Sequence, residues 1–116
     1  MLLNLSNHPS ARWPDDQQSA AARFGPVADL PFPNVPPDAD EAALAELVDT
    51  YFQQIKAKAP AAVHLMGEMT FTYALVRRLR EELDLPVIAS TTERLVTERD
   101  GEKRVRFRFV RFRAYR

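Results

Sequence analysis

The stretch that decides the fold is APAAVHLMGEMTFTYALVRRLREELDLPVIAS, residues 59–90. Two short apolar runs, residues 59–66 and 85–90, flank a segment in which apolar side chains recur at helical spacing, at Tyr73, Val76 and Leu79. Their neighbours form the charged run RRLREE, so the helix is expected to bury one face and expose the other. A strand, a helix and a second strand in this order predict a βαβ unit whose strands are parallel.

The same alternation continues toward the N-terminus. LLNLS, residues 2–6, and PVADLPF, residues 26–32, are short apolar runs typical of buried strands. Between them, residues 11–25 favour a helix, with Pro14 at the first helical position and Gly25 as the C-terminal cap. This order predicts a first βαβ unit before the one at residues 59–90.

A further helix is expected before residue 59. Asp38 and Glu41 have the spacing of a capping box, which would start the helix. Apolar side chains then follow at helical intervals, at Leu44, Leu47, Val48, Tyr51, Phe52 and Ile55. For the helix within residues 59–90, Thr70 or Thr72 is the expected start and Asp84 the expected end, because Pro86 blocks its continuation.

The C-terminal segment LVTERDGEKRVRFRFVRF, residues 95–112, predicts a β-hairpin, because Asp-Gly is the preferred pair for a two-residue primed turn. With Asp100 and Gly101 as the loop, Arg99 faces Glu102 and Glu98 faces Lys103, and both pairs are favourable. The alternation breaks at residues 109–110, two apolar residues in succession. Either a bulge or a change from one-sided to two-sided burial would explain the break.

Together these patterns predict an α/β fold. We expect one small Rossmann-like domain, residues 1–116, with a mainly parallel sheet, helices on both faces and a C-terminal antiparallel hairpin.

Composition narrows the class of protein. Sixteen basic and sixteen acidic side chains cancel, so neither duplex nucleic acid nor a membrane surface is an expected partner. The chain has no cysteine, which excludes disulfides and thiolate metal sites, and its two histidines do not predict a metal site. No signal peptide and no apolar run of about 20 residues is present, so a soluble cytoplasmic protein is expected, without a cofactor.

Three polar clusters follow strands of the predicted parallel sheet. They are SNHPS at residues 6–10, GEMTFT at 67–72 and STTER at 90–94. In open α/β sheets, ligands bind outside the carboxyl ends of the strands. The sequence therefore predicts a binding site to which all three clusters contribute.

The GEMTFT cluster suits a nucleotide. Gly67 would let the backbone approach a ligand or take a positive φ, and Thr70 or Thr72 would cap the helix, whose free N–H groups favour an anion. Glu68 would suit a ribose hydroxyl, an adenine amine or proton transfer, the last especially if partial burial raises its pKa. Alternatively, Glu68 only complements the helix dipole and both threonines serve as caps.

The SNHPS cluster supplies Ser6, Asn7, His8 and Ser10 as candidate ligand contacts. His8 lies at a strand end and has a near-neutral reference pKa, so it is the candidate for proton transfer. A turn histidine bonded to local backbone is the alternative. His64 lies within a strand and is expected to flank the core.

The STTER cluster offers Ser90, Thr91 and Thr92 for phosphate oxygens, followed by Arg94 for charge-assisted bonds to the same group. The alternative is that the threonines only favour a strand and that Glu93 and Arg94 form a surface pair.

Five segments together resemble a family of short CRISPR-associated proteins encoded beside type III loci. They are NLSNHPS, DLPFP, VHLMGEMTFT, ASTTER and FRFVRFRAY, and the resemblance covers essentially the whole chain. Rossmann-like proteins of this group bind cyclic oligoadenylate second messengers between two subunits. Some are ring nucleases, which cleave the messenger and end the immune response.

The resemblance implies a homodimer, or a higher homo-oligomer, that binds a cyclic oligoadenylate. The expected ring is cyclic tetra-adenylate, cleaved without metal by attack of a ribose 2′-hydroxyl on its own 3′-phosphate. His8 would transfer a proton, Arg94 with Thr91 or Thr92 would stabilise the developing charge, and Glu68 is the alternative base. Three alternatives are a messenger sensor or sponge that does not cleave, an adaptor protein with no nucleotide ligand, and a small enzyme acting on another nucleotide or sugar phosphate.

Overall fold

The computed structural model describes the whole chain, Met1–Arg116. Its strands are β1 (Leu2–Leu5), β2 (Val27–Asp29), β3 (Ala62–Leu65), β4 (Val87–Arg99) and β5 (Glu102–Ala114). Its helices are α1 (Asp15–Ala21), α2 (Glu41–Lys58) and α3 (Met69–Leu83), with short 3₁₀ turns at Ser10–Arg12 and Ala22–Phe24. No helix has both the length and the apolar character that a membrane span requires.

The strands form one five-stranded sheet in the order β2-β1-β3-β4-β5. β1 pairs in parallel with β2 and β3, β3 pairs in parallel with β4, and β5 is antiparallel to β4. The predicted α/β class, mostly parallel sheet and antiparallel C-terminal pair are therefore confirmed. The carboxyl ends of β1 and β3 meet at one edge of the sheet, where β4 continues beyond them.

Each face of the sheet has its own apolar core, because neighbouring residues of a strand point to opposite faces. Leu3 and Leu5 of β1 pack with α2 and α3, in a cluster that includes Phe52 and Phe71. Leu2 packs on the other face with Ala21 of α1 and with aromatic side chains, Trp13, Phe109 and Phe112. α1 therefore lies on the face opposite α2 and α3.

The starts of α1 and α2 differ from the prediction. Asp40, and not Asp38, caps α2, because its carboxylate accepts a hydrogen bond of 2.8 Å from the backbone N–H of Ala43. Pro14 lies one residue before α1 and not inside it. Gly25 does end the first helical region, with a φ of 97° that favours glycine.

The C-terminal hairpin has the predicted register. Arg99 pairs with Glu102, Glu98 pairs with Lys103, and both loop residues take positive φ, at 55° for Asp100 and 78° for Gly101. Between the pairs Thr91–Arg111 and Thr92–Phe109 lies one unpaired residue, Val110. The break in alternation at residues 109–110 is therefore a β-bulge.

The hairpin extends far beyond the rest of the sheet. β3 pairs with β4 only at Val87 and Ile88, so residues 93–108 form a two-stranded ribbon without a neighbouring strand. The radius of gyration is 15.9 Å, whereas a compact domain of this length has about 13 Å. An isolated two-stranded hairpin is marginal in water, so the ribbon is a natural place for a further contact.

Candidate functional site

A cleft of about 400 Å³ opens beside the carboxyl ends of β1 and β3, between the start of α1 and strand β4. The side chains that line it include Asn7, His8, Arg12, Gln17, His64, Ser90, Thr92 and Phe107. Two of the three predicted polar clusters, those after β1 and in β4, therefore meet at one site.

A hydrogen-bonded chain of side chains forms one wall of the cleft. His64 Nε2 lies 2.7 Å from Ser90 Oγ, and His64 Nδ1 lies 2.9 Å from Asn4 Oδ1. Asn4 and His64 are direct partners in the register of β1 and β3, while Ser90 comes from β4. Three neighbouring strands thus each contribute one polar side chain to a row across the sheet.

The neighbours of Asn4 determine which atom donates and which accepts in each hydrogen bond of this row. Asn4 Nδ2 donates to the carbonyl of His8 and to Asp29 Oδ1, both at 2.9 Å, so its Oδ1 faces His64. That oxygen can only accept, so His64 Nδ1 carries a proton. In neutral His64, Nε2 is then the acceptor, and the hydroxyl of Ser90 donates to it.

Burial keeps His64 neutral. The side chain is 2% exposed, and its ring lies 5.1 Å from Trp13 and 5.6 Å from Phe112, measured between ring centres. Loss of solvation, with a smaller electrostatic contribution from nearby His8, lowers the pKa of His64 from 6.5 to about 4. At neutral pH the imidazole is therefore a free base.

Ser90 connects this buried base to the cleft. Its side chain is half-buried and lines the cavity. Gln17 Nε2 donates to Ser90 Oγ at 3.1 Å, and the Ser90 backbone N–H donates to Met66 Sδ at 3.2 Å. Since a hydroxyl oxygen has two lone pairs, one acceptor position on Ser90 is left for a ligand.

Arg12 gives the cleft a cation that sequence reasoning missed. It ends the 3₁₀ turn after β1, is exposed, and forms no ion pair with any acidic side chain. The loop that carries His8 toward Arg12 is held by the Trp13 indole, which donates to the carbonyl of His8 at 3.2 Å. Arg12 and His8 together favour an anionic ligand.

Other predicted site residues of the same two clusters support the cleft or lie outside it. Ser6 is buried and donates to Asn4 Oδ1 at 2.8 Å, whereas Ser10 donates to Asp29 at 3.0 Å. Thr91 faces the opposite side of β4 and donates to the carbonyl of Arg111. Arg94 lies further along the ribbon, opposite Phe107, and does not line the cleft.

Glu68 is the N-cap of α3, so the expectation that Thr70 or Thr72 caps this helix is wrong. The carboxylate of Glu68 accepts from the backbone N–H groups of Thr70 and Phe71, at 3.1 and 2.8 Å, and from the Thr70 hydroxyl. These bonds lower the pKa of Glu68 instead of raising it. A helix end already occupied by a carboxylate does not attract a phosphate.

Gly67 and Thr72 also differ from expectation. The ring of Phe32 lies where a Cβ at position 67 would stand, so close packing and not a positive φ requires this glycine. Thr72 is buried, and its hydroxyl has no hydrogen-bond partner. It lines a separate cavity of about 550 Å³ with Tyr73 and other residues of α3.

Asn4 and His64 were not predicted as site residues, although the sequence contains a weak pattern that points to them. β1 and β3 are both four-residue buried strands, and each carries one polar residue at its third position, Asn4 and His64. In-register pairing of the two strands would place these side chains together. No group of three or more His, Cys, Asp or Glu side chains is arranged to hold a metal ion.

Comparison with known protein families gives a match over nearly the whole chain. A family model described as the Uncharacterized protein MJ1673 family matches residues 1–113. No curated protein and no solved structure matches the chain.

Proposed function

The chain belongs to the Uncharacterized protein MJ1673 family, and we propose that it is a metal-independent ring nuclease. In this proposal a cyclic oligoadenylate, with cyclic tetra-adenylate as the expected ring, binds in the cleft of a Rossmann-like homodimer in the cytoplasm. A ribose 2′-hydroxyl attacks its own 3′-phosphate, and cleavage ends type III CRISPR signalling. The observation that carries the proposal is that an unpaired arginine and a neutral histidine line one cleft at the carboxyl ends of parallel strands.

The cleft offers the groups that this reaction needs. Arg12 would hold the phosphate with charge-assisted hydrogen bonds, and Asn7 and Thr92 would contact ribose or adenine. The exposed ring of Phe107 at the cleft is suited to stack on a base. His8, the proton-transfer candidate, also lines the cleft.

Glu68 and Arg94, which the sequence predicted as catalytic residues, have no catalytic role in this proposal. Glu68 caps α3 with a lowered pKa and is a poor base, and Arg94 lies beyond the cleft. Arg12 takes the role of stabilising the developing charge, because it lies on the same cavity as His64.

The ribbon supports the proposal of a homodimer. One of its faces exposes apolar side chains next to the cleft, with Phe107 66%, Val105 44% and Val96 41% exposed. Residues 1–92 carry twelve acidic and seven basic side chains, whereas the ribbon, residues 93–108, carries four acidic and six basic side chains. A second copy could therefore cover the apolar face while its acidic body approaches the basic ribbon, and a two-fold dimer would match a ring of even size.

The test is a turnover assay in EDTA with cyclic tri-, tetra- and hexa-adenylate, in which products are separated by chromatography and binding is followed by thermal shift. We expect one ring to be converted to linear products. Arg12→Ala should weaken binding, whereas Arg94→Ala should not. No stabilisation and no conversion with any ring would refute the proposal.

A second candidate is a sensor or sponge that binds the messenger without cleaving it. The low pKa of His64 favours it, because a base with a pKa of about 4 takes up a proton only reluctantly. In the same assay, stabilisation without conversion would identify this function.

A further inference from the structure

In the row Asn4–His64–Ser90, Asn4 orients the imidazole of His64, and the hydroxyl of Ser90 is hydrogen-bonded to its other nitrogen. This is the geometry of a base that activates a hydroxyl. We propose that it is a proton relay, in which His64 receives, through Ser90 Oγ, the proton of the hydroxyl that attacks phosphorus. The proposal rests on the proposed function for the identity of that hydroxyl, the ribose 2′-OH. It makes His64, and not His8, the base.

Burial explains why the proton has to pass through Ser90. Both ring nitrogens of His64 are already occupied, Nδ1 by Asn4 and Nε2 by Ser90, and the side chain is 2% exposed. A substrate hydroxyl therefore cannot reach the imidazole directly. It can donate to the remaining lone pair of Ser90 Oγ, which lines the cleft.

The step balances without any co-reactant. The 2′ oxygen forms a bond to phosphorus and gives its proton to Ser90 Oγ, while the proton of Ser90 passes to His64 Nε2. The bond from phosphorus to the 5′ oxygen breaks, and this oxygen keeps the electron pair and takes a proton from water. The products are a 2′,3′-cyclic phosphate and a 5′-hydroxyl, after which His64 returns its proton to solvent.

A bound phosphate would make the relay more effective. Its negative charge next to the cleft favours the protonated imidazole and so raises the pKa of His64 from its low value in the free protein. Asn4 Oδ1 accepts a hydrogen bond from the Nδ1–H of His64 whether the imidazole is neutral or protonated. The Asn4 side chain is in turn oriented by its hydrogen bonds with Asp29 and Ser6. Asn4 is thus a positioning residue, and the substrate itself would activate the base.

The experiment separates binding from turnover in the full chain. His64→Gln and Ser90→Ala should each lower the cleavage rate by about 10²- to 10⁴-fold while changing affinity for cyclic tetra-adenylate much less. Thr91→Ala is the matched control, because this hydroxyl lies on the opposite face of β4, and its rate should equal that of the wild type. Circular dichroism verifies the fold of each variant, and Ser90→Ala is the less disruptive change if His64→Gln does not fold. Cleavage by a folded His64→Gln variant at the wild-type rate would overturn the relay.

A second measurement does not depend on the ligand. A neutral imidazole that accepts the proton of a serine hydroxyl activates its oxygen, which can then attack a small fluorophosphonate. The oxygen bonds to phosphorus, fluoride leaves, and the proton passes to His64. We expect labelling at Ser90, located by mass spectrometry, and its loss in His64→Gln. If the protein neither binds nor cleaves any ring, the ring nuclease proposal fails, but labelling of Ser90 that depends on His64 would still support the relay. If, in addition, Ser90 of the wild type is not labelled, the relay is refuted too.

Discussion

Asn4 Oδ1 lies 2.9 Å from His64 Nδ1, between two strands that are otherwise apolar. A buried polar group is costly unless it is hydrogen-bonded, and each of these side chains supplies the partner that the other needs. The pair also fixes the tautomer of His64 and directs its basic nitrogen to Ser90. One contact in the middle of the sheet therefore sets the chemistry available at the cleft.

The low pKa of His64 makes stability depend on pH. Unfolded His64 has a pKa near 6.5 and folded His64 about 4, so the unfolded chain binds more protons between these values. The contribution is complete above pH 6.5 and is lost as the pH falls toward 4. We expect the free energy of unfolding in urea to fall by about 2 kcal/mol from pH 7.5 to 5 because of this group.

His64→Gln is the control for the pH dependence, since glutamine does not titrate. In that variant the part of this fall that His64 causes, about 2 kcal/mol, should disappear. If the wild type and the variant depend on pH in the same way, His64 is not held neutral in the folded protein.

Local patterns predicted the hairpin, its register and the break in alternation at residues 109–110, because turn chemistry and alternation act between residues close in the chain. They left open whether that break is a bulge, which the structure shows it to be. The helix caps were predicted less well. Asp40 replaced Asp38 and Glu68 replaced the threonines, since several neighbouring polar residues can each supply an oxygen to a helix end.

The centre of the site could not be predicted locally. Asn4 and His64 are 60 residues apart, and their contact follows only from the register of two strands. Likewise, glycine is required at position 67 because the ring of Phe32, from a loop distant in the chain, packs against it. Sequence patterns placed three polar clusters at the carboxyl ends of the strands, two of which line one cleft, but they did not predict which buried side chain lies behind it.

Glu68 is expected to act in stability and not in catalysis. Glu68→Ala removes the acceptor for the N–H groups of Thr70 and Phe71 and should lower the melting temperature, with the rate of ring cleavage unchanged. Glu68→Ser, which keeps an oxygen at the cap, should recover part of the loss. A large drop in cleavage by the folded Glu68→Ala variant would return Glu68 to the list of catalytic residues.

Gly67 is expected to be required by Phe32. Gly67→Ala places a methyl group against the ring and should cost about 1–3 kcal/mol of stability, measured by chemical denaturation. In a Phe32→Ala background the same change should cost much less, because the obstacle is gone. Equal costs in both backgrounds would show that the backbone and not the ring requires glycine at position 67.

The two arginines that could contact phosphate should differ in effect. Arg12 lines the cleft and is unpaired, so Arg12→Ala should weaken the binding of cyclic tetra-adenylate about tenfold or more. Arg94 lies outside the cleft, and Arg94→Ala should change affinity less than about twofold. Calorimetric titration of both variants measures the difference, and the reverse order of effects would shift the phosphate site onto the ribbon.

The ribbon is expected to carry the dimer contact through its apolar face. Val105 pairs with Val96 on this face, is 44% exposed, and does not line the cleft, so a change there tests association separately from ligand binding. Val105→Asp should convert a dimer to a monomer in sedimentation velocity, because a dimer would bury the new carboxylate without a partner. Thr97→Asp places the same charge on the opposite face and should leave the dimer intact. A wild-type chain that sediments as a monomer at all concentrations, or a Val105→Asp variant that still dimerises, would exclude this face as the contact.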